Sequence, residues 1–198
     1  AEPLLLLARS IYEKALGKGH PNYIKVSNNL ASMYAILGQY QKAEELCLNS
    51  LELRKKILGV KHPDYASSLN RLALIYKETW QYEKAEPLFE EALEIRKKVL
   101  GEDHPDFASS LYNLALLNRI NGKLLKADSM IQRVIAIRKK LLGIDHPDYA
   151  AAISGLGFTR SLRGLHQEAE QLYLQALEIR KNSLGVKSPD YSSTLFDL

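Results

Sequence analysis

The stretch Leu100–Leu111 reads L-G-E-D-H-P-D-F-A-S-S-L and carries the end of one predicted helix and the start of the next. Gly101 stands where helices commonly end, because the left-handed backbone of that position costs glycine nothing. His104 is the predicted N-cap. Pro105 suits the first helical position, where its missing N–H has no partner anyway, and Asp106 places a carboxylate at the positive end of the helix dipole. The stretch therefore predicts a helix boundary.

The same sequence motif recurs at a fixed interval of 42 residues. It stands around His20, His62 and His146 and, with serine in place of histidine, around Ser188. A fixed period of this length is typical of a repeat array, in which each unit packs only on its neighbours. The period therefore favours a solenoid over one or two globular domains.

Each unit is predicted to be a helical hairpin. In one unit the first helix should run from about Pro63 to Glu78 and the second from about Glu83 to Leu100. The turn between the two helices carries glycine in the other units, whereas this one has Trp80. A left-handed backbone costs a bulky residue about 1–2 kcal/mol. Trp80 either adopts this strained backbone or packs its ring into the neighbouring repeat, and we expect packing.

These residues resemble the tetratricopeptide repeat family. Its signature of small and large residues is visible in the first full unit as Leu30, Ala31, Tyr34, Gly38, Tyr40, Ala43, Cys47 and Ser50. The 42-residue form, with A-E-x-L…A-L-E-I-R-K-K-x-L-G-x-x-H-P, is similar to the repeats of kinesin light chains. The resemblance implies an all-α fold, a right-handed α-solenoid of helix–turn–helix tetratricopeptide repeats.

We predict that residues 1–198 form a single array. Residues 1–20 should supply the second helix of a preceding repeat, and residues 189–198 the start of a further one. The parent protein is expected to continue in both directions, and self-association through the uncapped ends is an open alternative. The predicted full repeats are 21–62, 63–104, 105–146 and 147–188.

Composition narrows the classes of protein. Hydrophobic residues at 46% and charged ones at 25% are typical of a folded chain and argue against disorder. The formal charge of +4 is too small to recruit nucleic acid by itself. A single cysteine, Cys47, excludes an internal disulfide framework and favours a reducing compartment, so a cytoplasmic location is predicted. The longest apolar run, Leu4–Ala8, is far short of the ~20 residues of a membrane helix, so no membrane partner is expected.

Neither catalysis nor cofactor binding is expected. The repeated histidines hold one place in each unit, which puts them in a row and leaves them as helix caps. Cys47 falls on the apolar side of a second helix and is expected to be a small buried hydrophobe. The sequence has no glycine-rich phosphate motif and no cysteine pair. We predict no enzyme, no cofactor and no metal site.

The first helices carry side chains that the core does not require. In the unit that begins at Pro63 these residues are spaced three and four apart, along one helical stripe. The resemblance implies that first helices line a concave groove, so the stripe and its equivalents form the predicted peptide-binding site. Its members are Asn28, Asn29, Asn70, Arg71, Leu74, Lys77, Tyr112, Asn113, Leu116, Arg119, Ser154 and Phe158.

The chemistry of the stripe fits an extended peptide or a partner's loop. Asparagine amides can donate to and accept from a peptide backbone whatever its sequence. Leu74, Leu116 and Phe158 offer apolar contacts, and basic side chains beside them supply positive charge. The similarity to kinesin light chains implies a cargo or adaptor motif with an aromatic or leucine anchor and acidic flanks.

Two other functions stay open. Basic clusters at the ends of second helices would, if stacked, make a ridge for RNA phosphates or other phosphates. They also complement the helix dipoles, and they lack aromatic residues for base stacking, so nucleic acid is not the expected partner. A structural or self-association spacer is the other alternative. The clusters are Arg54-Lys55-Lys56, Arg96-Lys97-Lys98, Arg138-Lys139-Lys140 and Arg180-Lys181.

Overall fold

The computed structural model describes residues 2–198, so of the predicted segment 1–20 only Ala1 lies outside the described residues. Within residues 2–198 the chain forms ten α-helices and no strand. The all-α fold of successive helical hairpins predicted from the 42-residue period is confirmed. The division into four full repeats between two partial ones stays a prediction.

The chain divides into two compact units, and the first ends at Val99. In this unit α1 packs on α2, α2 on α3 and α3 on α4. The bounds predicted for α4 are confirmed, and α5 begins one residue earlier than predicted. The helices are α1 (Glu2–Leu16), α2 (Pro21–Ile36), α3 (Tyr40–Leu58), α4 (Pro63–Glu78) and α5 (Tyr82–Leu100).

The second unit runs from Leu100 to Leu198. Each of its helices packs on the next one along the chain. Gly157 allows α8 and α9 to approach closely, since a Cβ atom there would lie 3.0 Å from the Tyr173 ring. The helices are α6 (Pro105–Ile120), α7 (Leu124–Leu142), α8 (Pro147–Leu162), α9 (His166–Leu184) and α10 (Pro189–Asp197).

Small residues let the helices of the first unit pack closely. Ala31, Ala43 and Ala66 are completely buried and lie in one cluster with Leu30 and Leu69. Alanine carries little side chain, so neighbouring helices meet closely around it, and the leucines fill the space between them. The small and large positions of the repeat signature are therefore the packing positions of the unit.

Each first helix begins with a side-chain cap. In four helices the imidazole Nδ1 atom of the capping histidine accepts a hydrogen bond from the backbone N–H two residues further on, at 3.0 to 3.2 Å. Ser188 does the same for α10 at 3.2 Å. This bond satisfies one of the N–H groups that a helix leaves without a partner. The predicted caps are confirmed at His20, His62, His104 and His146.

The glycines after the second helices adopt a backbone that other residues avoid. Gly59, Gly143 and Gly185 have φ of 79° to 83° with ψ of 161° to 174°. This region is open essentially to glycine alone. The predicted positive φ is confirmed, and the ψ values show a more extended turn than the left-handed helical one.

Trp80 occupies the position of a turn glycine and adopts its backbone. Its φ is 62°, against 72° and 73° for Gly38 and Gly122 in the equivalent turns. The turn also keeps the glycine turn's hydrogen bond, from Gln81 N–H to Tyr76 C=O at 2.8 Å. The indole ring is 80% exposed, and its centroid lies 6.1 Å from that of Tyr82. The expectation that the ring packs into the neighbouring repeat is therefore wrong, and no burial offsets the strain.

The cap at His62 is tested by removing its acceptor. His62→Ala should lower the free energy of unfolding by about 1 kcal/mol, because the Asp64 N–H loses its partner. His62→Ser should stay close to the parent protein, since serine already caps α10. Urea unfolding followed by circular dichroism measures both variants. Equal loss of stability in the two would contradict the capping role.

Trp80 provides a second test of stability. Trp80→Gly should leave the protein equally stable or more stable, because the strain of positive φ is removed and little burial is lost. Trp80→Ala is the matched control, since it removes the ring and retains the strained backbone. We expect the glycine variant to exceed the alanine variant by about 1 kcal/mol in thermal melts. An alanine variant as stable as the glycine variant would refute the strain.

Candidate functional site

The predicted site residues of the first unit lie on α2 and α4 at different depths. Asn28 is buried, with 5% of its surface exposed, whereas its neighbour Asn29 is exposed. The four residues on α4 are all half-buried. They are Asn70, Arg71, Leu74 and Lys77. The surface available to a ligand is therefore formed by Asn29 and the α4 residues.

Two cations of this surface are already engaged. The Arg71 guanidinium donates to the Ser32 hydroxyl at 2.5 Å, which links α4 to α2. The Lys77 ammonium lies 3.0 Å from a Glu78 carboxylate oxygen. An acidic ligand would have to compete with Glu78 for Lys77, while Arg71 is oriented by a neutral partner and keeps its charge available.

Five of the six predicted residues of the second unit come together around one pocket. Its volume is about 320 Å³, which lies at the lower end of the range for ligand-binding pockets. Residues of α9 and α10 also contribute, among them Arg180, Asp190 and Asp197. Asn113 is half-buried on α6 and is not among the lining residues. The predicted residues that line the pocket are Tyr112, Leu116, Arg119, Ser154 and Phe158.

Arg119 connects the charged and apolar parts of this pocket. Its guanidinium carbon lies 4.6 Å from the centre of the Phe158 ring, and its Nη1 atom donates to the Gly155 carbonyl at 3.4 Å. Burial lowers the pKa of Arg119, and the nearby charge of Asp197 is one of the groups that raise it. The side chain therefore offers a partly desolvated cation beside an aromatic face that remains 39% exposed.

Tyr112 forms the floor of the pocket. Its hydroxyl donates to the Ala151 carbonyl at 3.0 Å, and the Arg138 guanidinium lies 4.8 Å from its ring centre. Burial raises the pKa of this phenol. Gly155 makes the arrangement fit, because a Cβ atom there would lie 2.5 Å from the Tyr112 hydroxyl. Gly155 therefore leaves a space on α8, and the Tyr112 side chain of the preceding first helix, α6, occupies that space.

The arginines of the basic clusters have a structural role that the sequence analysis missed. Arg54, Arg138 and Arg180 each donate to a backbone carbonyl in the first turn of the following first helix, at 2.7 to 2.8 Å. Arg96 is 6% exposed and donates to the Ser67 hydroxyl at 3.0 Å. We call Arg54, Arg138 and Arg180 the helix-start arginines. The lysines of the clusters stay exposed, so the predicted ridge loses its arginines and keeps only its lysines.

Two signals in the sequence point to this role. An aspartate follows each helix-start arginine by ten residues, and its carbonyl is the acceptor. The arginine is also constant where the second lysine is not, since the last cluster reads Arg180-Lys181-Asn182. Burial lowers the pKa of Arg54 and of Arg138, as expected for guanidinium groups withdrawn from water.

Carboxylates near the start of second helices form another set of links between hairpins. In the first unit the Tyr34 hydroxyl donates to a Glu2 carboxylate oxygen at 2.8 Å. In the second unit Asp128, 4% exposed, accepts from Arg160 at 3.5 Å and also from Arg163. The two links join residues 32 apart, Glu2 to Tyr34 and Asp128 to Arg160, so they are equivalent in the repeat. A buried aspartate paired with two arginines is a structural group in this position.

The residues considered for chemistry have structural surroundings. Cys47 is 1% exposed, and burial raises its pKa to about 11, so its thiol remains protonated. In residues 2–198 no three His, Cys, Asp or Glu side chains are grouped closely enough to hold a metal ion. The same residues contain no helix that is both long enough and apolar enough to span a bilayer.

Comparison with known proteins gives a consistent result. The profile of the tetratricopeptide repeat matches residues 24–98, 78–140 and 106–182. None of the curated proteins matches the sequence.

Several solved structures resemble this chain. One is the crystal structure of the nearly identical TPR-like repeats of a Podosopora anserina protein described as a kinesin light chain. It is 30% identical over 94% of this chain and 87% of that one, with a TM-score of 0.70. A point variant of that protein gives 30% identity over 91% and 85%, with a TM-score of 0.73. BtubC (BKLC) from P. vanneervenii is 28% identical over 93% and 76%, with a TM-score of 0.78.

The helix-start arginines are tested at Arg138. Arg138→Ala should lower the free energy of unfolding by about 2 kcal/mol, because a charged hydrogen bond to the Asp148 carbonyl is lost together with the contact to Tyr112. Lys139→Ala is the control, since its exposed side chain should matter by less than about 0.5 kcal/mol. Urea unfolding measures both. Equal effects of the two substitutions would mean that Arg138 contributes no more to stability than the exposed Lys139, which would contradict its structural role.

Proposed function

Because the chain belongs to the tetratricopeptide repeat family, whose repeats form scaffolds for protein–protein interaction, we propose that it is a noncatalytic adaptor that binds an extended peptide or a partner's loop on its first helices. The observation that carries the proposal is the pocket of the second unit, which is lined by five of the residues selected from sequence. We place this function in the cytoplasm, which is supported by the single cysteine of the sequence, because one cysteine cannot form a disulfide within the sequence.

The pocket favours a ligand with an apolar anchor. Leu116 and the exposed part of Phe158 provide apolar surface, and the volume of about 320 Å³ accommodates a leucine or an aromatic side chain. Burying such a side chain contributes about 1.5–3 kcal/mol. The anchor is therefore the main source of affinity in this proposal.

The pocket carries charges of both signs, and its cations are the groups that would attract acidic flanks. Arg119 lies at the pocket with its charge partly desolvated, and in the first unit Arg71 and Lys77 lie among the half-buried residues of α4. An exposed ion pair contributes only about 0.2–1 kcal/mol, so these cations act more on association rate and orientation than on affinity. Ordering a flexible peptide offsets part of the gain, so affinity in the micromolar range is expected, as is common for such ligands.

The test is a titration of acidic peptides that contain Trp or Leu, read by fluorescence anisotropy. Leu116→Ala combined with Phe158→Ala should weaken binding by about tenfold or more, because the anchor loses its contacts. Arg119→Glu should slow association and remove the preference for acidic flanks.

The control is a variant of the lysine ridge, in which Lys97, Lys139 and Lys140 are changed to Ser. It should bind these peptides like the parent protein, because the three lysines lie at the ends of second helices. Loss of peptide binding in the ridge variant alone would refute the proposal and favour the phosphate-binding alternative. Circular dichroism of every variant checks that the helices are retained.

A further inference from the structure

The first unit has a second cleft, away from the residues considered so far. It lies between the loop that joins α3 to α4 and the C-terminal end of α5, and its volume is about 310 Å³. Its walls are apolar, and two of the contributing valines are 44% and 50% exposed. The lining residues are Val60, Lys61, Glu91, Glu94, Ile95, Lys98 and Val99.

The equivalent place in the second unit is bridged by two ion pairs. One repeat later, Val60 and Lys61 are replaced by Glu102 and Asp103, and Glu91 is replaced by Arg133. Asp103 pairs with the Lys140 ammonium at 2.6 Å, and Glu102 pairs with Arg133. These two bridges tie the loop to α7.

The substitutions remove the same bridges from the first unit. Valine carries no charge to pair across the gap, and Lys61 stands where the bridging aspartate would be. The loop and the helix end therefore have an open apolar cleft between them, at a position where another repeat of the same chain has two ion pairs.

The charges around the cleft favour an acidic partner. Lys61 makes no hydrogen bond or ion pair with any residue in the range 2–198, and residues 55–61 contain three lysines and no acid. The acids at the cleft are already engaged. Glu94 accepts from Lys98 at 2.9 Å, and Glu91 lies beside Tyr65, whose pKa is raised first by burial and then by that carboxylate.

We propose that this cleft is a second protein-docking site, which takes an aliphatic side chain such as leucine from a partner segment with acidic residues next to it. The concave shape and the single-side-chain scale of the cleft favour insertion of one residue over contact with a flat bilayer. The site is separate from the pocket in the second unit, so it provides a chain of this family with two independent contacts for partner proteins.

The experiment uses a fluorescein-labelled acidic peptide with a central leucine pair, Glu-Asp-Glu-Leu-Leu-Asp-Glu, and the full chain. In the background Leu116→Ala with Phe158→Ala, which removes the anchor contacts of the second-unit pocket, Val60→Glu should weaken binding by about tenfold or more, because a charge enters the apolar cleft. Lys61→Asp should weaken it by up to about fivefold, the scale of one exposed ion pair. Ile144→Glu is the matched control, since Ile144 holds the same loop position two repeats later and is 51% exposed; it should bind like the parent protein.

A label at the cleft gives a direct readout of position. Val60→Cys, modified with a trifluoromethyl reagent, should show a shift in its fluorine resonance when the peptide is added, and Ile144→Cys should not. Cys47 does not interfere, because its buried thiol is protonated. The variant Leu116→Ala with Phe158→Ala should retain this resonance shift, which separates the cleft from the pocket of the second unit.

Three outcomes would overturn the proposal. The first is a peptide affinity that Val60→Glu leaves unchanged. The second is equal loss of affinity in Val60→Glu and Ile144→Glu. The third is absence of peptide binding together with sedimentation of the chain on phosphatidylserine vesicles that Val60→Glu abolishes, which would assign the cleft to a lipid surface.

Discussion

The starts of α4, α8 and α10 are each held by two hydrogen bonds that come from different directions, and the positions of the candidate ligand-binding residues on α4 and α8 depend on these bonds. At α4 the His62 imidazole accepts from the backbone inside the first turn, while Arg54 donates to the Asp64 carbonyl from the preceding second helix. The His62 bond fixes the residue at which α4 begins. The Arg54 bond fixes the position of that helix start against α3. Residues one and two turns further along then have little freedom in direction.

This use of arginine limits what the repeated basic clusters can bind. A guanidinium that is withdrawn from water and bonded to a carbonyl is no longer available to a phosphate group, and its replacement by lysine would lose the planar geometry. Apart from Arg71 and Lys77 on α4, the cations that remain are of two kinds. The exposed lysines attract any anion weakly, whereas Arg119 presents its charge beside an aromatic ring inside a pocket.

Local features of the chain could be read from sequence, and features that depend on a neighbouring helix could not. The cap at His62 and the glycine after each second helix follow from residues a few positions apart, so their prediction held. The Trp80 prediction was wrong for this reason. The sequence shows that a bulky residue stands at a glycine position, but it does not show that no neighbouring helix covers the ring. The fit of Tyr112 over Gly155 needs the distance between two first helices. The open cleft beside Val60 likewise could not be predicted, because it lies where the ion pairs of the next repeat are missing, and those pairs are visible only in the structure.

Trp80 has a practical consequence for spectroscopy on this protein. It is the single tryptophan of the chain, and water already surrounds most of its ring in the native state. Its emission will therefore change little when the helices melt, and circular dichroism is the signal that follows folding. The same property makes the indole a sensitive natural probe of anything that covers the turn between α4 and α5, since such contact would transfer the ring from water to an apolar environment.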